Sequence, residues 1–240
     1  MEESSLRHLG IIADGNRRWA REKNLPTLEG HKKGLETIEM AVSECAKNHI
    51  PFVTVYVFST ENWNRSEEEV SYLMKLFFGR IKALAEKMAK NNVKLVFLSR
   101  REKLDPKLLA AMDEAESITK ECTGTTASFC FNYGGEQEIV DAAKSLANTV
   151  HREFGPYPTV SDIDGYFTIE NFAKHLYHPE VPPVDMIVRT SGEERISGFM
   201  LWRASYSEFM FLKKYFPDLT PEDIQNIIKE YENRNRRFGK

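Results

Sequence analysis

Six short apolar runs punctuate this chain: Leu9–Ala13, Val53–Ser59, Val93–Ser99, Thr125–Asn132, Val184–Arg189 and, more weakly, Phe209–Leu212. Runs this short, bounded by polar and turn residues, read as buried strands. Between them, helical patterns cover His31–Asn48, Ser66–Lys90, Pro106–Glu121, Glu136–Arg152, Ile169–Tyr177 and Pro221 to about Arg236. Alternation of strand and helix predicts βαβ units. The expected fold is therefore α/β: one domain over residues 1–240, with a central, mostly parallel six-stranded sheet flanked by helices. Phe154–Ser161 is the one long irregular stretch, and it is too short to link two domains. Sheets of this kind bind ligands at the carboxyl ends of their strands, so the residues after each run carry the argument.

The first run leads into Asp14-Gly15-Asn16-Arg17-Arg18-Trp19. A strand-to-helix turn presents unpaired backbone N–H groups and favours anions. Gly15 allows close backbone approach, and Arg17 and Arg18 bring guanidinium forks suited to phosphate oxygens. Asp14 would repel a phosphate unless a cation sat between them, and a hard cation such as Mg²⁺ resolves that conflict. The second run ends in Phe58-Ser59-Thr60-Glu61-Asn62-Trp63-Asn64-Arg65, and the fifth in Arg189-Thr190-Ser191-Gly192-Glu193-Glu194-Arg195-Ile196-Ser197. Taken singly, Arg65 reads as a surface charge at a helix start and Trp63 as a core aromatic. Arg189 is harder to dismiss, because an apolar strand delivers it to the same sheet edge as Asp14. Several arginines there imply two phosphate-rich ligands.

Composition narrows the ligand. A net charge of −3 over 240 residues argues against a nucleic-acid binder, so the arginines serve a local anion. Cys45, Cys122 and Cys130 form no C-x-x-C pair and suit a reduced, cytoplasmic setting. The acidic start Met1–Ser5 does not resemble a signal peptide. No apolar run approaches the ~20 residues of a membrane span, which leaves contact with a bilayer surface open. The helix after Arg65 carries an apolar face of Val70, Leu73, Met74, Phe77, Phe78, Ile81, Leu84, Ala85 and Met88, and the helix before it carries Leu35, Ile38, Val42 and Cys45. Such faces are usually core. Here both helices start beside the phosphate turns, so a greasy groove leading from a diphosphate head fits better than a nucleotide site. Neither G-x-G-x-x-G nor G-x-x-x-x-G-K-[ST] occurs.

These motifs, together with Gly30-His31-Lys32-Lys33-Gly34, Asn132-Tyr133-Gly134-Gly135 and the ending Asn233–Gly239, resemble the cis-prenyltransferases, specifically undecaprenyl diphosphate synthase-like enzymes. The likeness runs through nearly the whole chain. It implies a homodimeric, Mg²⁺-dependent enzyme with a hydrophobic tunnel between sheet and helices. Its reaction would join isopentenyl diphosphate to an allylic diphosphate such as farnesyl diphosphate with a new cis double bond, for a bacterial-type cell-wall lipid carrier. It also implies a cytoplasmic protein, with peripheral membrane contact for product release. The aspartate-rich D-D-x-x-D signature of trans-prenyl synthases is absent.

By resemblance, Asp14 binds the metal and helps the allylic diphosphate depart, and Glu208 is a second metal carboxylate. Gly15, Asn16, Arg17 and Arg18 cradle that diphosphate, with His31 nearby. Asn62 positions the isopentenyl group; an amide is a poor base, so the proton is expected to leave to a phosphate oxygen or to Asp14. Arg189, Arg195, Ile196 and Ser197 belong to the isopentenyl diphosphate loop. Trp19, Ser59, Thr60, Glu61, Trp63 and Arg65 are further substrate contacts. Arg237-Phe238-Gly239 resembles a terminal R-x-G that reaches a neighbouring subunit. The chain departs from the family pattern at Thr27, Arg17, Glu136, Glu194 and Gly198. Thr27 stands where an arginine is usual, and Arg17, in a slot that is often glycine, is the candidate for the missing charge.

A non-catalytic partner subunit of a heteromeric cis-prenyltransferase would be expected to lack Asp14 or the Arg195-x-Ser197 pair, and both are present. A phosphatase would need a nucleophile or a D-x-D at a strand end. Asp162-Ile163-Asp164 reads instead as a helix-capping turn, and His175 and His178 as structural rather than zinc ligands.

Overall fold

The computed structural model describes residues 6–234. Its six strands are β1 (His8–Ile12), β2 (Phe52–Ser59), β3 (Lys94–Leu98), β4 (Thr126–Tyr133), β5 (Met186–Arg189) and β6 (Glu208–Phe211). They form one sheet in the order β3-β4-β2-β1-β5-β6, and every pairing is parallel. From β1 the chain first builds outward through β2, and β5 later docks on the opposite side of β1. That reversal leaves a crevice at the carboxyl ends of β1, β2 and β5, where open α/β sheets bind ligands.

Alternation along each strand divides the core between the two faces. Val53, Val55, Leu95, Phe97, Phe129 and Phe131 join the larger cluster, with α2 (Thr27–Lys47), α3 (Glu67–Lys90), α4 (Pro106–Thr119) and α8 (Pro221–Glu232). Tyr56, Val96, Leu98 and Cys130 face the smaller cluster, which includes Val184 and Phe199. Helix α3 is capped by Ser66, whose Oγ accepts from the Glu69 N–H at 3.3 Å, and it carries three acids in its first turn and Lys87 and Lys90 in its last. Both features suit the helix dipole. Of its predicted apolar face, Phe77, Ile81, Leu84, Ala85 and Met88 are buried and Val70, Leu73 and Met74 half-buried, whereas Phe78 is 48% exposed and lies outside the core.

The elements differ from the sequence expectation mainly at their ends. Val184 and Asp185 spend their N–H groups on Arg203 and His8 carbonyls, so β5 begins at Met186. Helix α2 starts at Thr27, four residues early, because Pro26 replaces a polar cap with a fixed φ of −55°. The turn after β1 opens a separate short helix, α1 (Asn16–Glu22). Helix α5 (Gly135–Phe154) ends at Gly155, where φ is +79°. The stretch after it holds an unexpected short helix, α6 (Val160–Tyr166), whose start is capped by the reciprocal Thr159–Asp162 pair. Helix α7 (Ile169–Ala173) stops four residues before the predicted end. The predicted end of the last helix and the 237–239 motif fall outside the described residues, and no described helix is long and apolar enough to cross a membrane.

Candidate active site

A cavity of about 1580 Å³ opens at the carboxyl edge of the sheet. Its lining includes Asp14, Gly15, Asn16, Arg17, Arg18, His31, Ser59, Thr60, Glu61, Asn62, Arg65, Arg189 and Ser197. The strand-end loops named from sequence thus meet in one place, although they are spread over nearly two hundred residues.

The turn after β1 is held by backbone and neighbours together. Gly15 has φ +103°, a region that only glycine enters without strain. The Thr190 hydroxyl donates to the Asp14 carbonyl at 2.6 Å and accepts from the Asp14 N–H at 3.0 Å. Tyr215 lies beneath Gly15, and the Phe216 N–H donates to the Asp14 carbonyl at 3.0 Å. Helix α2 approaches so closely at Gly30 that a Cβ there would meet the Asn16 carbonyl oxygen at 2.1 Å. The Gly30-x-x-x-Gly34 spacing is therefore a docking face for the phosphate turn.

Asp14 sits between two arginines. One carboxylate oxygen accepts from Arg18 at 3.2 Å and the other from Arg189 at 2.9 Å. Arg189 is only 7% exposed and also donates to Ser197 Oγ at 2.9 Å and to the Arg195 carbonyl. Its Nε, on the wall of the cavity, is buried without a partner. Glu193 joins the same network, accepting from Arg18 at 2.9 Å and from Arg195 at 2.6 Å. Hydrogen bonds from Arg195 and Arg18 hold its carboxyl below the usual range. Burial disfavours the Arg18 charge, but the Asp14 and Glu193 carboxylates outweigh it and hold that guanidinium above its usual range. Arg18 thus ties the first phosphate turn to the loop after β5, a link that its place in sequence does not reveal.

A second cluster lies on the α2–α3 side. The Glu69 carboxylate, only 11% exposed, is hydrogen-bonded to His31 Nε2 and to Arg65, each at 3.1 Å, and lies 3.9 Å from Arg17. Burial pushes the His31 imidazole below its usual range, and Glu69 pulls it partly back. Glu69 was not singled out from sequence; the Arg65–Glu69 spacing of four residues at a helix start was the available signal. Tyr56 and Thr190 were missed as well, since each sits within an apolar run or directly after one.

Asn62 lies in a short 3₁₀ turn (Thr60–Asn64), where its amide oxygen accepts from the Ser59 N–H at 3.3 Å. That leaves the amide NH₂ as the group it can offer the cavity, which is a donor's role and not a base's. Thr27 lines the cavity where an arginine was expected, and Arg17 is largely exposed.

Several predicted residues are not among those that line the cavity. Trp19 donates to Asp218 at 2.7 Å, and Trp63 donates to Asn132 at 2.7 Å while packing edge-on against Phe58. Ile196 packs on the smaller core cluster, and Arg195 is at the rim. Glu208 does not join Asp14 within the chain. It pairs in register with Met186 at the amino end of β5, whereas Arg189 pairs with Phe211. Three residues of strand, about 10 Å, separate it from the carboxyl edge, and its carboxylate accepts from Arg234 at 3.0 Å.

No group of three or more potential metal ligands occurs among the described residues. Asp14 nevertheless fits a cation shared with phosphate: its carboxylate faces the cavity, and its present partners are arginines that phosphate oxygens would draw. Mg²⁺ is commonly held in this way, by one or two carboxylates with substrate oxygens completing its shell. Apolar lining continues beyond the main cavity on the side of the expected tunnel. Val57 lines both the main cavity and an apolar cleft between α2 and α3, bounded by Leu35, Ile38, Phe77, Ile81, Leu84 and Phe129. That cleft holds only about 10 Å³ of free space, at the limit for a single water.

The sequence profile of the undecaprenyl diphosphate synthase family matches residues 12–239. An isoprenyl transferase of Thermotoga maritima is 41% identical over 232 residues, covering 97% of this chain and 96% of that protein. One from Neisseria meningitidis serogroup B is 38% identical over 234 residues, covering 98% and 89%. The crystal structure of lavandulyl diphosphate synthase from Lavandula x intermedia, in complex with dimethylallyl diphosphate, superimposes with a TM-score of 0.91 at 28% identity over the full length of both chains.

Proposed function

The chain belongs to the undecaprenyl diphosphate synthase family of isoprenyl transferases, and we propose that it condenses isopentenyl diphosphate with an allylic diphosphate to form a cis-polyprenyl diphosphate. The observation that carries this reading is Asp14, held between Arg18 and Arg189 where the carboxyl ends of β1, β2 and β5 meet. In the reaction the starter's C1–O bond breaks, its C1 bonds to the terminal alkene carbon (C4) of isopentenyl diphosphate, the double bond moves to C2–C3, and a proton leaves C2. Charge develops on the departing diphosphate, so fixed cations aimed at it lower the barrier.

This chain's residues divide that work. The backbone from Gly15 to Arg18 and the side chains of Arg17 and His31 receive the starter's diphosphate. Arg189, Arg195 and Ser197 receive that of isopentenyl diphosphate; Arg189 is pre-aimed by its bonds to Ser197 and to the Arg195 carbonyl. Arg18, bonded to both Asp14 and Glu193, stands between the two. Asn62 turns its NH₂ toward the isopentenyl substrate and fixes its pose. The proton then leaves to a phosphate oxygen, with Asp14 as the alternative acceptor. Mg²⁺ bound at Asp14 would supply further charge neutralisation on the leaving group. Arg65, beside His31 and Arg17, is a further contact for the starter, and Trp19, Trp63, Ser59, Thr60 and Glu61 complete the substrate contacts.

The further expectations belong to the same reading: a homodimer, in which Glu208 would lie near another subunit's site rather than its own, and a cytoplasmic enzyme that meets the membrane peripherally to release product. A non-catalytic partner role is disfavoured by the intact Asp14–Arg189 pair. The deciding experiment is incubation with labelled isopentenyl diphosphate, Mg²⁺ and a panel of allylic starters, followed by chromatography. Chain-extended cis products are expected. No incorporation with any starter would overturn the reading.

A further inference from the structure

A carboxylate beside a diphosphate site opposes binding by simple charge repulsion, so Glu69 needs an explanation. It stands on the first turn of α3 and gathers groups from three other parts of the chain. His31 comes from α2, Arg65 from the turn before α3, and Arg17 from α1. The crowding is costly without it. Burial pushes the Arg65 guanidinium below its usual range, Arg17 beside it adds to that, and the Glu69 charge pulls it back. Without that carboxylate, two guanidinium groups and an imidazole would share a pocket with nothing to hold them together. Glu69 also has a fixed backbone, because its N–H is the one that caps α3 on Ser66. Its carboxylate, 11% exposed, is held in place by His31 and Arg65.

We propose that Glu69 is a positioning residue for the starter's diphosphate. It keeps His31, Arg65 and Arg17 grouped on one carboxylate before the anion arrives, and it pins the start of α3 to the phosphate turn. This rests on the isoprenyl transferase reading above. In a site where Thr27 replaces a family arginine, grouping the remaining cations has added importance. The arrangement reduces the reorganisation that binding would otherwise require, since the forks need not be collected from solvent. A purely architectural Glu69 would instead matter equally for every property of the fold.

The test uses Glu69→Gln, which keeps the shape and removes the charge, and Glu69→Asp, which keeps the charge on a shorter stem. Steady-state kinetics would vary each substrate in turn, thermal melts would report folding, and calorimetry would follow binding of inorganic diphosphate. We expect Glu69→Gln to raise KM for the starter about tenfold, with KM for isopentenyl diphosphate within about twofold and the melting temperature nearly unchanged. Glu69→Asp should recover part of the loss. Equal rises in both KM values accompanied by a lower melting temperature would assign Glu69 to architecture alone and overturn the proposal, as would an unchanged starter KM. If the wild-type enzyme extends no starter, the reaction assignment falls. Diphosphate affinity then decides the role of Glu69 by itself: a loss in Glu69→Gln supports the proposal, and equal affinity refutes it.

Discussion

Gly30→Ala tests whether the close approach of α2 to the phosphate turn is a catalytic requirement. The added Cβ would lie 2.1 Å from the Asn16 carbonyl oxygen, 2.9 Å from its carbon and 3.1 Å from Ala20 Cβ. The first two contacts are to backbone and cannot be relieved by a rotamer change. Ordinary contact distances are about 3.5 Å, so the start of α1 and the body of α2 must part by roughly 1 Å. Overpacking of this kind costs about 1–3 kcal/mol, which for a chain of this size lowers the melting temperature by about 2–10 °C. The effect on turnover should be larger in proportion, because the displaced carbonyl is flanked by Gly15 and Arg17. A misplacement of about 1 Å at reacting groups can cost about a hundredfold in rate. The expected result is a folded enzyme whose kcat/KM for the starter falls about a hundredfold. The assay is labelled isopentenyl incorporation with the starter varied, alongside thermal melts. Gly79→Ala is the internal control: it lies within α3 with nothing near its added Cβ. It should stabilise the helix by up to about 1 kcal/mol and leave kinetics unchanged. A Gly30→Ala enzyme within about threefold of wild type would refute the reasoning, since the phosphate turn would then tolerate a shift far larger than positioning catalysis allows.

Asp14→Ala should reduce kcat by about two to three orders of magnitude, since loss of charge stabilisation at the leaving group is worth several kcal/mol; near-normal kcat in a folded variant would remove Asp14 from the mechanism. Arg195→Ala and Ser197→Ala should mainly raise KM for isopentenyl diphosphate, whereas Arg18→Ala, bonded across to both Asp14 and Glu193, should raise KM for both substrates. Steady-state kinetics with each substrate varied would decide this, and an effect of Arg18→Ala on the starter alone would contradict the bridging geometry. Burial lowers the pKa of His8 from 6.5 to about 4, against the opposing pull of the Pro182 and Pro183 carbonyls. Between those two values the unfolded chain binds a proton that the native protein does not, so stability is complete above pH 6.5 and falls as the pH drops toward 4. The loss over that window is about 3 kcal/mol, measurable as a falling urea midpoint, and a folded-state His8 that titrates near 6.5 by NMR would refute it.

Much of this was written locally. Leu9–Ala13, Val53–Ser59 and Thr125–Asn132 announce buried strands because a segment apolar on both faces has few other places to go. Once such strands alternate with amphipathic helices, the parallel sheet and its carboxyl-edge crevice follow, and Asp14 and Arg189 reach that crevice simply by standing after β1 and at the end of β5. The short helices α1 and α6 were harder to see, since neither has the length for a periodicity to register.

The sheet, its helical layers and the edge at which chemistry gathers can be read along the chain, because burial pattern and turn residues are properties of neighbouring positions. Which side chains meet is settled by packing between distant elements. The register of β6 carries Glu208 to the far end of the sheet, and the packing of α1 against α2 brings Arg17 and His31 to Glu69 on a third helix. The same packing gives the Trp19 and Trp63 indoles their partners, Asp218 and Asn132. The apolar faces of α2 and α3 close to about 10 Å³ between them, where helical periodicity alone allowed a core or a groove. Each of these outcomes depends on the relative placement of elements far apart in the chain, which no local pattern encodes.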